Sequence, residues 1–483
     1  MTEQNAQDPD TQGGTGRPVA DRSEQLHAFI GNARWFGGKG RGFTVTGCRR
    51  LVMPGSETPD ETTGRTVVVE LVSLAYDDGG SDVYQVPISY YGAEQLLLHH
   101  ALVGRWEDSE LGEVWAYDAL HDHAATPAWL HSFADGVTAG ELEFHRVGEE
   151  ELDLEARSTL LSGEQSNSSV MFGETALMKL FRRLTPGHNP DIEILAALTE
   201  AGNEHVASLF GWVDTRTEEG ELLQLGILQQ FLRTASDGWE LALASLRNLF
   251  TTGDVPARES GGDLASEAYR LGEAVAHMHL SLAGAFPVEE WGRDELAGLA
   301  DAMSQRLDTA VQVVPEMADF APALHGIFDS VRHVAAPVRV HRVHGDLHLG
   351  QTLRTVKNWK IIDFEGEPAK SLEERRRPDS PWRDVAGMLR SFDYAAEVSR
   401  RDHEQATGDT DSHAEERARE WASRNTTAFL AGYRDATGTD VDQVLLTAYA
   451  TDKAVYEAVY EARNRPGWLS IPLAALARLA SQG

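Results

Sequence analysis

The residues best suited to chemistry lie in one stretch, His344-Gly345-Asp346-Leu347-His348 through Gln351 to Asp363. Phosphoryl transfer asks little covalent work of a protein. A carboxylate must orient and deprotonate the attacking hydroxyl, and oxygen donors must hold Mg2+ against the nucleotide phosphates. Asp346 stands beside Gly345, where a turn lets backbone come close. Gln351 follows five positions later, the offset at which a kinase catalytic loop carries an amide metal ligand. Asp363 ends the short apolar run Trp359-Lys360-Ile361-Ile362, which would return it to the same place as the metal carboxylate.

The other half of such a site lies upstream. Lys179 is the one charge in the apolar run Ala176-Leu177-Met178-Lys179-Leu180-Phe181, where an unpaired ammonium would be costly to bury. Nucleotide phosphates and a carboxylate of the following helix are its natural partners, and Glu193 is the expected carboxylate. The small polar loop Gly163 to Ser169, with Gln165, Ser166 and Ser168, can present N–H and hydroxyl groups to phosphates. Gln229, Gln230 and the residues to Leu232 fall where a hinge would meet the adenine edge.

Three other motifs compete. His341, His344 and His348 suggest a metal cluster, but loop geometry would scatter their directions and no cysteine joins them. Gly37 to Gly42 resembles a phosphate loop yet lacks the Ser/Thr after Lys39, so a flexible turn is expected. Asp409 and Asp411 lack the glycine and terminal glutamate of a calcium loop and read as solvated loop.

These groups need elements to position them. Residues 1–20 have almost nothing to bury and are expected to form a disordered tail. An α+β unit with no evident chemistry of its own, which a family resemblance marks as a cap subdomain, is expected over 21–150: a helix with Leu26, Phe29 and Ile30 on one face, strands in 43–53, 64–76 and 81–91, a helix over 113–135, and a strand in 140–147. A nucleotide-binding lobe over 151–235 follows, with strands in 156–161, 168–173 and 175–181, a helix over 190–201, and strands in 204–213 and 222–232. The last of these is nearly all apolar, as suits a central strand. Residues 236–483 are mostly helical, interrupted by the strand-rich 338–368 that holds Asp346 and Asp363. An α+β, bilobal, protein-kinase-like layout follows.

The chain has 483 residues, 43 basic against 76 acidic, for a formal charge of −33. At roughly 150 residues per domain this suggests about three units. A surface so acidic repels nucleic acid and anionic membrane, so neither is expected as a partner. Small anions remain allowed where lysine and backbone N–H groups override the field. Cys48 is the only cysteine, which excludes an internal disulfide and a cysteine-based zinc site. The polar N-terminus has no apolar leader, and a cytoplasmic enzyme is expected.

The segments 164–172, 177–193, 342–354, 359–368, 375–396 and 451–473 together resemble actinobacterial maltokinases, ATP-dependent enzymes of the aminoglycoside-phosphotransferase type of kinase fold. Ala33 to Gly42 is similar to that family's N-terminal cap segment. The resemblance implies phosphorylation of maltose at O1 in α-glucan and trehalose metabolism. It makes Asp346 the catalytic base, Gln351 and Asp363 the Mg2+ ligands and Lys179 a phosphate contact. It also implies a trehalose synthase-type enzyme as a candidate partner. The wider class has Asn where this chain has Gln351, and the maltokinase branch shares the Gln.

A neutral disaccharide needs acids and amides to accept, bases to donate and an aromatic face. Asp452, Lys453, Tyr456 and Glu457 offer these along one helix, with Lys453, Tyr456 and Glu457 within about one turn. A salt-bridged surface helix pairing Lys453 with Glu457 is the alternative. His348, Glu365 and Arg463 complete the expected sugar contacts. A related actinobacterial branch phosphorylates glucosamine, and that reading stays open beside maltose, although Lys453 argues against a cationic substrate. Another small-molecule phosphotransferase, or a nucleotide-binding module without turnover, are the remaining alternatives.

Overall fold

The structure, a computed structural model, describes residues 21–162, 166–233, 235–252, 255–260, 262–367, 370–408 and 412–482. It opens with α1 (Arg22–Asn32), capped by the Asp21 carboxylate accepting from Ser23 N at 3.2 Å. Five strands follow: β1 (Phe43–Val52), β2 (Thr66–Tyr76), β3 (Ser81–Tyr91), β4 (Leu102–Asp108) and β5 (Gly112–Asp118). They pair in the order β1-β2-β3-β5-β4, all antiparallel. β2 is buried on both faces. Val68, Val72 and Leu74 join the core under α1, whereas Val67, Val69 and Leu71 join the main core of the molecule. That explains its near-continuous apolar run.

The sequence places a helix over 113–135, and the structure divides this segment. Residues 112–118 are strand β5, because Val114 and Ala116 bury against the cap core while β3 and β4 take up the backbone on either side. After a single 3-10 turn at Ala119–His121, only α2 (Pro127–Asp135) is α-helical, ended by Gly136 in the left-handed region. β4 was not read from the sequence at all.

The second sheet is built from β6 (Thr138–Ala139), β7 (Leu142–Arg146), β8 (Ser158–Leu160), β9 (Asn167–Phe172) and β10 (Ala176–Phe181), continuing past β11 (Arg183–Leu184) and α3 (Pro190–Glu200) to β12 (Leu209–Arg216) and β13 (Leu222–Gln230). Its order is β6-β7-β12-β13-β10-β9-β8, with apolar β13 fourth of seven. Residues 138–146, grouped with the cap in the sequence reading, thus belong to this sheet, since β7 pairs with β12. β11 instead pairs with β3 and ties the two sheets together. At the same junction Arg182, 1% exposed, reaches Asp118 of the cap at 3.0 Å and Ser168 Oγ at 2.8 Å.

The rest is helical around two small sheets. β14 (Ser236–Asp237) leads into α4 (Gly238–Thr251) and α5 (Ala265–Ala285), and β15 (Glu289–Trp291) into α6 (Arg293–Val313) and α7 (Ala321–Ser330). β16 (Val338–Val340) precedes the segment 341–351 that holds Asp346, and β17 (Thr352–Arg354) and β18 (Trp359–Ile361) follow it as a hairpin beside β14. Helices α8 (Leu372–Arg375), α9 (Trp382–Thr407), α10 (Ser412–Thr437), α11 (Gln443–Asn464) and α12 (Ser470–Gln482) complete the chain. Among the described residues no helix is long and apolar enough to cross a membrane.

Candidate active site

The β17–β18 hairpin decides how the two metal-ligand candidates meet. Gln351 precedes β17 and Ile362 follows β18, and Ile362 N donates to Gln351 O at 3.0 Å. Closing the hairpin this way brings the Gln351 amide to Asp363, Nε2 to Oδ2 at 3.0 Å. Asp363 has φ 67°, and no other described non-glycine residue has positive φ. Such backbone persists where surrounding contacts over-determine it.

Lys179 completes this corner. Along β10, Met178 and Leu180 enter the core and Leu177 and Lys179 face the cleft, the alternation a strand imposes. Its Nζ lies 3.0 Å from Asp363, 3.1 Å from Asp191 and 2.6 Å from Glu365. Burial disfavours the ammonium, but these three carboxylates outweigh it and hold Lys179 well above its ordinary pKa. Lys179 in turn holds Asp363 below the usual carboxylate range, against the opposing effect of burial.

The partner of Lys179 on α3 is therefore Asp191 and not Glu193. Two residues on a helix are about 200° apart, so only one of the pair can face the lysine. Asp191 is 1% exposed and also accepts from Phe364 N at 3.0 Å, fastening the segment after Asp363. Glu193 points to Arg376 at 2.6 Å and Arg342 at 3.1 Å. Glu365, expected at the sugar, is instead held by Lys179 and by Asn167 Nδ2 at 2.8 Å.

Lys179, Asp191, Gln351 and Asp363 line a cavity of about 320 Å3 between the lobes, with Ser166, Asn167, Gln229 and Gln230 on its walls. Ser168 does not reach it. One position along β9 from Asn167, it turns to the opposite face and accepts from Arg182. Gln165 lies outside the described residues. Asn167 and Asp191, which sequence reasoning missed, neighbour the residues it chose. Strand alternation could have marked the first.

Asp346 lies on the other side of the catalytic turn. Gly345, at φ 86°, takes a conformation in which a side chain would be strained. The turn hangs from Asp384 of α9, whose carboxylate accepts His344 N at 2.7 Å and Gly345 N at 2.8 Å. Asp384 is 1% exposed and is itself held by His279 Nε2 at 3.0 Å, whose other nitrogen meets Tyr433 Oη at 2.9 Å. Burial pushes the Asp384 carboxyl up, but the His279 hydrogen bond, the neighbouring imidazoles and the Gly345 N–H prevail and bring it to about 2. This depressed value contributes stability at neutral pH that is lost as pH falls below about 4 toward 2, of about 2 kcal/mol. Asp384→Asn should accordingly lower stability by about 2–3 kcal/mol at pH 7, with a smaller difference from the parent near pH 2, read by denaturant unfolding.

From α11, Lys453 Nζ donates to Asp346 Oδ1 at 2.7 Å. Burial opposes the charge on Lys453, but Asp346 and its neighbours prevail and raise its pKa. No hydrogen bond from the described residues reaches Asp346 Oδ2. Asp346 and Lys453 line a second cavity, of about 150 Å3, with Asp452, Tyr456, Glu367 and Arg306 among its walls. Asp452 is gripped there by Arg306 through two 2.8 Å bonds. Arg383 joins Glu367 at 2.8 Å and Asp379 at 2.9 Å.

Besides Glu365, three more of the expected sugar contacts lie outside this second cavity. Glu457 pairs not with Lys453 but with buried Arg390 at 2.7 Å, on the face of α11 toward α9. Arg463 is exposed and lines neither cavity. His348 accepts from Gly350 N at 3.1 Å, holding the turn before β17, and burial lowers its pKa. Arg306 gave no local signal, and Glu367 and Arg383, although inside the segments 359–368 and 375–396 that carry the resemblance, drew no role from their spacing.

The three-histidine cluster does not form. His341 Nδ1 donates to Arg342 O at 2.6 Å and His344 Nε2 to Ile362 O at 3.0 Å, so the rings serve different backbone segments. Burial lowers His341 to about 4, which keeps it neutral. Around Gly37, Tyr84 Oη accepts from the Gly37 N–H, Arg41 pairs with Asp78, and Lys39 is exposed, so this segment is a packed turn of the cap. Asp409 and Asp411 lie outside the described residues.

Residues 29–122 match the maltokinase N-terminal cap domain, and residues 161–421 match the phosphotransferase enzyme family. The chain is 28% identical over 328 residues to a glucosamine kinase of Streptacidiphilus jiangxiensis, covering 64% of this chain and 70% of that one. It is 28% identical over 339 residues to a glucosamine kinase of Mycolicibacterium smegmatis, covering 66% and 79%. A solved glucosamine kinase in complex with glucosamine, ADP and inorganic phosphate superposes with TM-score 0.66 at 21% identity, over 95% of this chain and 99% of that one. The cap and the kinase-like lobes thus recur together in a solved fold.

Proposed function

The chain belongs to the phosphotransferase enzyme family, and from that premise we propose that it is an ATP-dependent sugar kinase whose acceptor is maltose, phosphorylated at O1. The observation that carries the choice is the charge balance of the cavity beyond Asp346. Its acids are matched by cations: Asp346 by Lys453, Asp452 by Arg306, Glu367 and Asp379 by Arg383. A pocket so balanced suits a neutral polyhydroxyl acceptor. A cationic amino sugar would want an acid that no protein cation already holds. The maltokinase-type cap over 29–122 supports the same choice.

In this reading ATP enters the larger cavity, with Gln230 and Gln229 along the adenine edge and Lys179 on the phosphates. Asp346 accepts the acceptor's proton through Oδ2 as the hydroxyl oxygen bonds to the γ-phosphorus, and the bond from that phosphorus to ADP breaks. Lys453 fixes the carboxylate through Oδ1. Asp363 offers a carboxylate, and the Gln351 amide beside it, whose Nε2 faces Asp363 here, would turn its oxygen toward a shared ion, a donor set that fits Mg2+. When bound there the ion would neutralise charge on the phosphate oxygens.

Glucosamine is the second reading, favoured by the relatives and by the size of the acceptor cavity. At about 150 Å3 it holds roughly five water volumes and admits one sugar ring more readily than two. ADP release measured with maltose, glucosamine, glucose and no sugar separates the readings. Stimulation by maltose alone is expected; stimulation by glucosamine and not maltose would replace the proposed acceptor.

A further inference from the structure

On the face of the second sheet, three side chains outside the catalytic cleft come together in a way the phosphotransferase chemistry does not use. β7 and β12 pair antiparallel with Glu143 opposite Asp214 and His145 opposite Trp212. Side chains alternate along a strand, so positions 143, 145, 212 and 214 all project to one face. Trp212 stacks on the His145 ring at 4.6 Å between centroids and also donates to Asp214 Oδ2 at 3.2 Å. The imidazole is thereby fixed in orientation.

His145 Nε2 lies 3.1 Å from Asp214 Oδ2 and 3.9 Å from Glu143 Oε1. This buried nitrogen has the Asp214 carboxylate as its close partner among the described residues, in an ion pair without the alignment of a directed hydrogen bond. Asp214 is 7% exposed, and burial pushes its carboxyl up. All three donor atoms lie within 4.8 Å of one another. Zinc bound at 2.0–2.2 Å in a tetrahedron requires donors about 3.3–3.5 Å apart, which the two measured separations bracket.

We propose that Glu143, His145 and Asp214 form a binding site for a zinc-class divalent cation, distinct from the Mg2+ donors of the cleft. One imidazole nitrogen and two carboxylates with no thiolate suit Zn2+ better than the all-oxygen shells that Ca2+ and Mg2+ take. Solvent fills the fourth position, since Glu143 and the edge of His145 reach the surface. The ion staples β7 to β12 and satisfies the His145 nitrogen. Its role is structural, because the site stands apart from both cavities.

Titration calorimetry of the tag-free, chelator-treated full chain with ZnCl2, in excess Mg2+, tests this. The parent should bind Zn2+ at this site with a rise in melting temperature. His145→Gln and Asp214→Asn should each remove one equivalent of binding or weaken it at least tenfold, and should abolish that rise. Glu365→Gln, at the cleft, should leave the equivalent in place. Should His145→Gln lower the metal-free melting temperature, Glu143→Gln at the exposed rim serves instead, with at least tenfold weaker binding expected. Equal Zn2+ binding by the parent and these variants, or none by the parent, would overturn the site.

Discussion

Asp346→Asn should reduce phosphoryl transfer on the order of 10³-fold while leaving nucleotide affinity within about twofold of the parent. A positioned general base contributes roughly 10²–10⁴ to such a step, and Asn keeps the shape while losing the basic oxygen. Nucleotide contacts are spared because Lys179, Gln351 and Asp363 lie in the neighbouring cavity, which Asp346 does not line. The substitution also takes the counter-charge from Lys453, which depends on Asp346 at 2.7 Å. A fall in stability of about 1–3 kcal/mol is therefore expected beside the loss of turnover. Single-turnover assay, nucleotide titration and denaturant unfolding give the three readouts. Near-parental turnover would remove Asp346 from the chemistry.

Lys179→Met should have the largest effect on the protein itself. One ammonium serves Asp191, Asp363 and Glu365 within 2.6–3.1 Å, and the methionine leaves three acids facing one another. Removing one partner of a buried ion pair costs about 3–5 kcal/mol. Nucleotide affinity should fall about 10–100-fold with the loss of a charge-assisted contact to phosphate. The pH dependence has a definite sign. Lys179 lowers the Asp363 pKa, so its removal raises it, and protonation then relieves the variant as pH falls below neutral. The stability gap from the parent should narrow over that interval. Glu193→Gln is the control: it faces Arg342 and Arg376, so nucleotide affinity should not change. A loss in Glu193→Gln matching that in Lys179→Met would contradict the geometry around α3.

The parts of this site legible in sequence are those joined by short covalent paths. Asp346, Gln351 and Asp363 flank a two-strand hairpin, and a hairpin returns its ends to each other whatever surrounds it. Lys179 stands out because a lone charge in an apolar strand needs a reason. Even the choice of cleft-facing neighbours on β9 follows from period-two alternation, which separates Asn167 from Ser168.

What sequence alone determined, then, is the fold class and its local scaffold: a bilobal α+β kinase-like layout, the turn at Asp346 and the strand that carries Lys179. Tertiary structure decided which charges meet. Whether Asp191 or Glu193 faces Lys179 depends on the rotation of α3, and that is set by Ile192, Ile194, Leu195 and Leu198 seeking the core. Asp384 holds the catalytic turn only because α9 packs beneath it, closely enough that a side chain at Gly387 would collide with Leu347 O. The cavity beyond Asp346 draws Arg306 from α6, Arg383 from α9 and Lys453 from α11, helices far apart in sequence with other elements between them and brought together by packing. Burial is a property of the assembled core, and electrostatic partners chosen by burial leave no trace in local spacing.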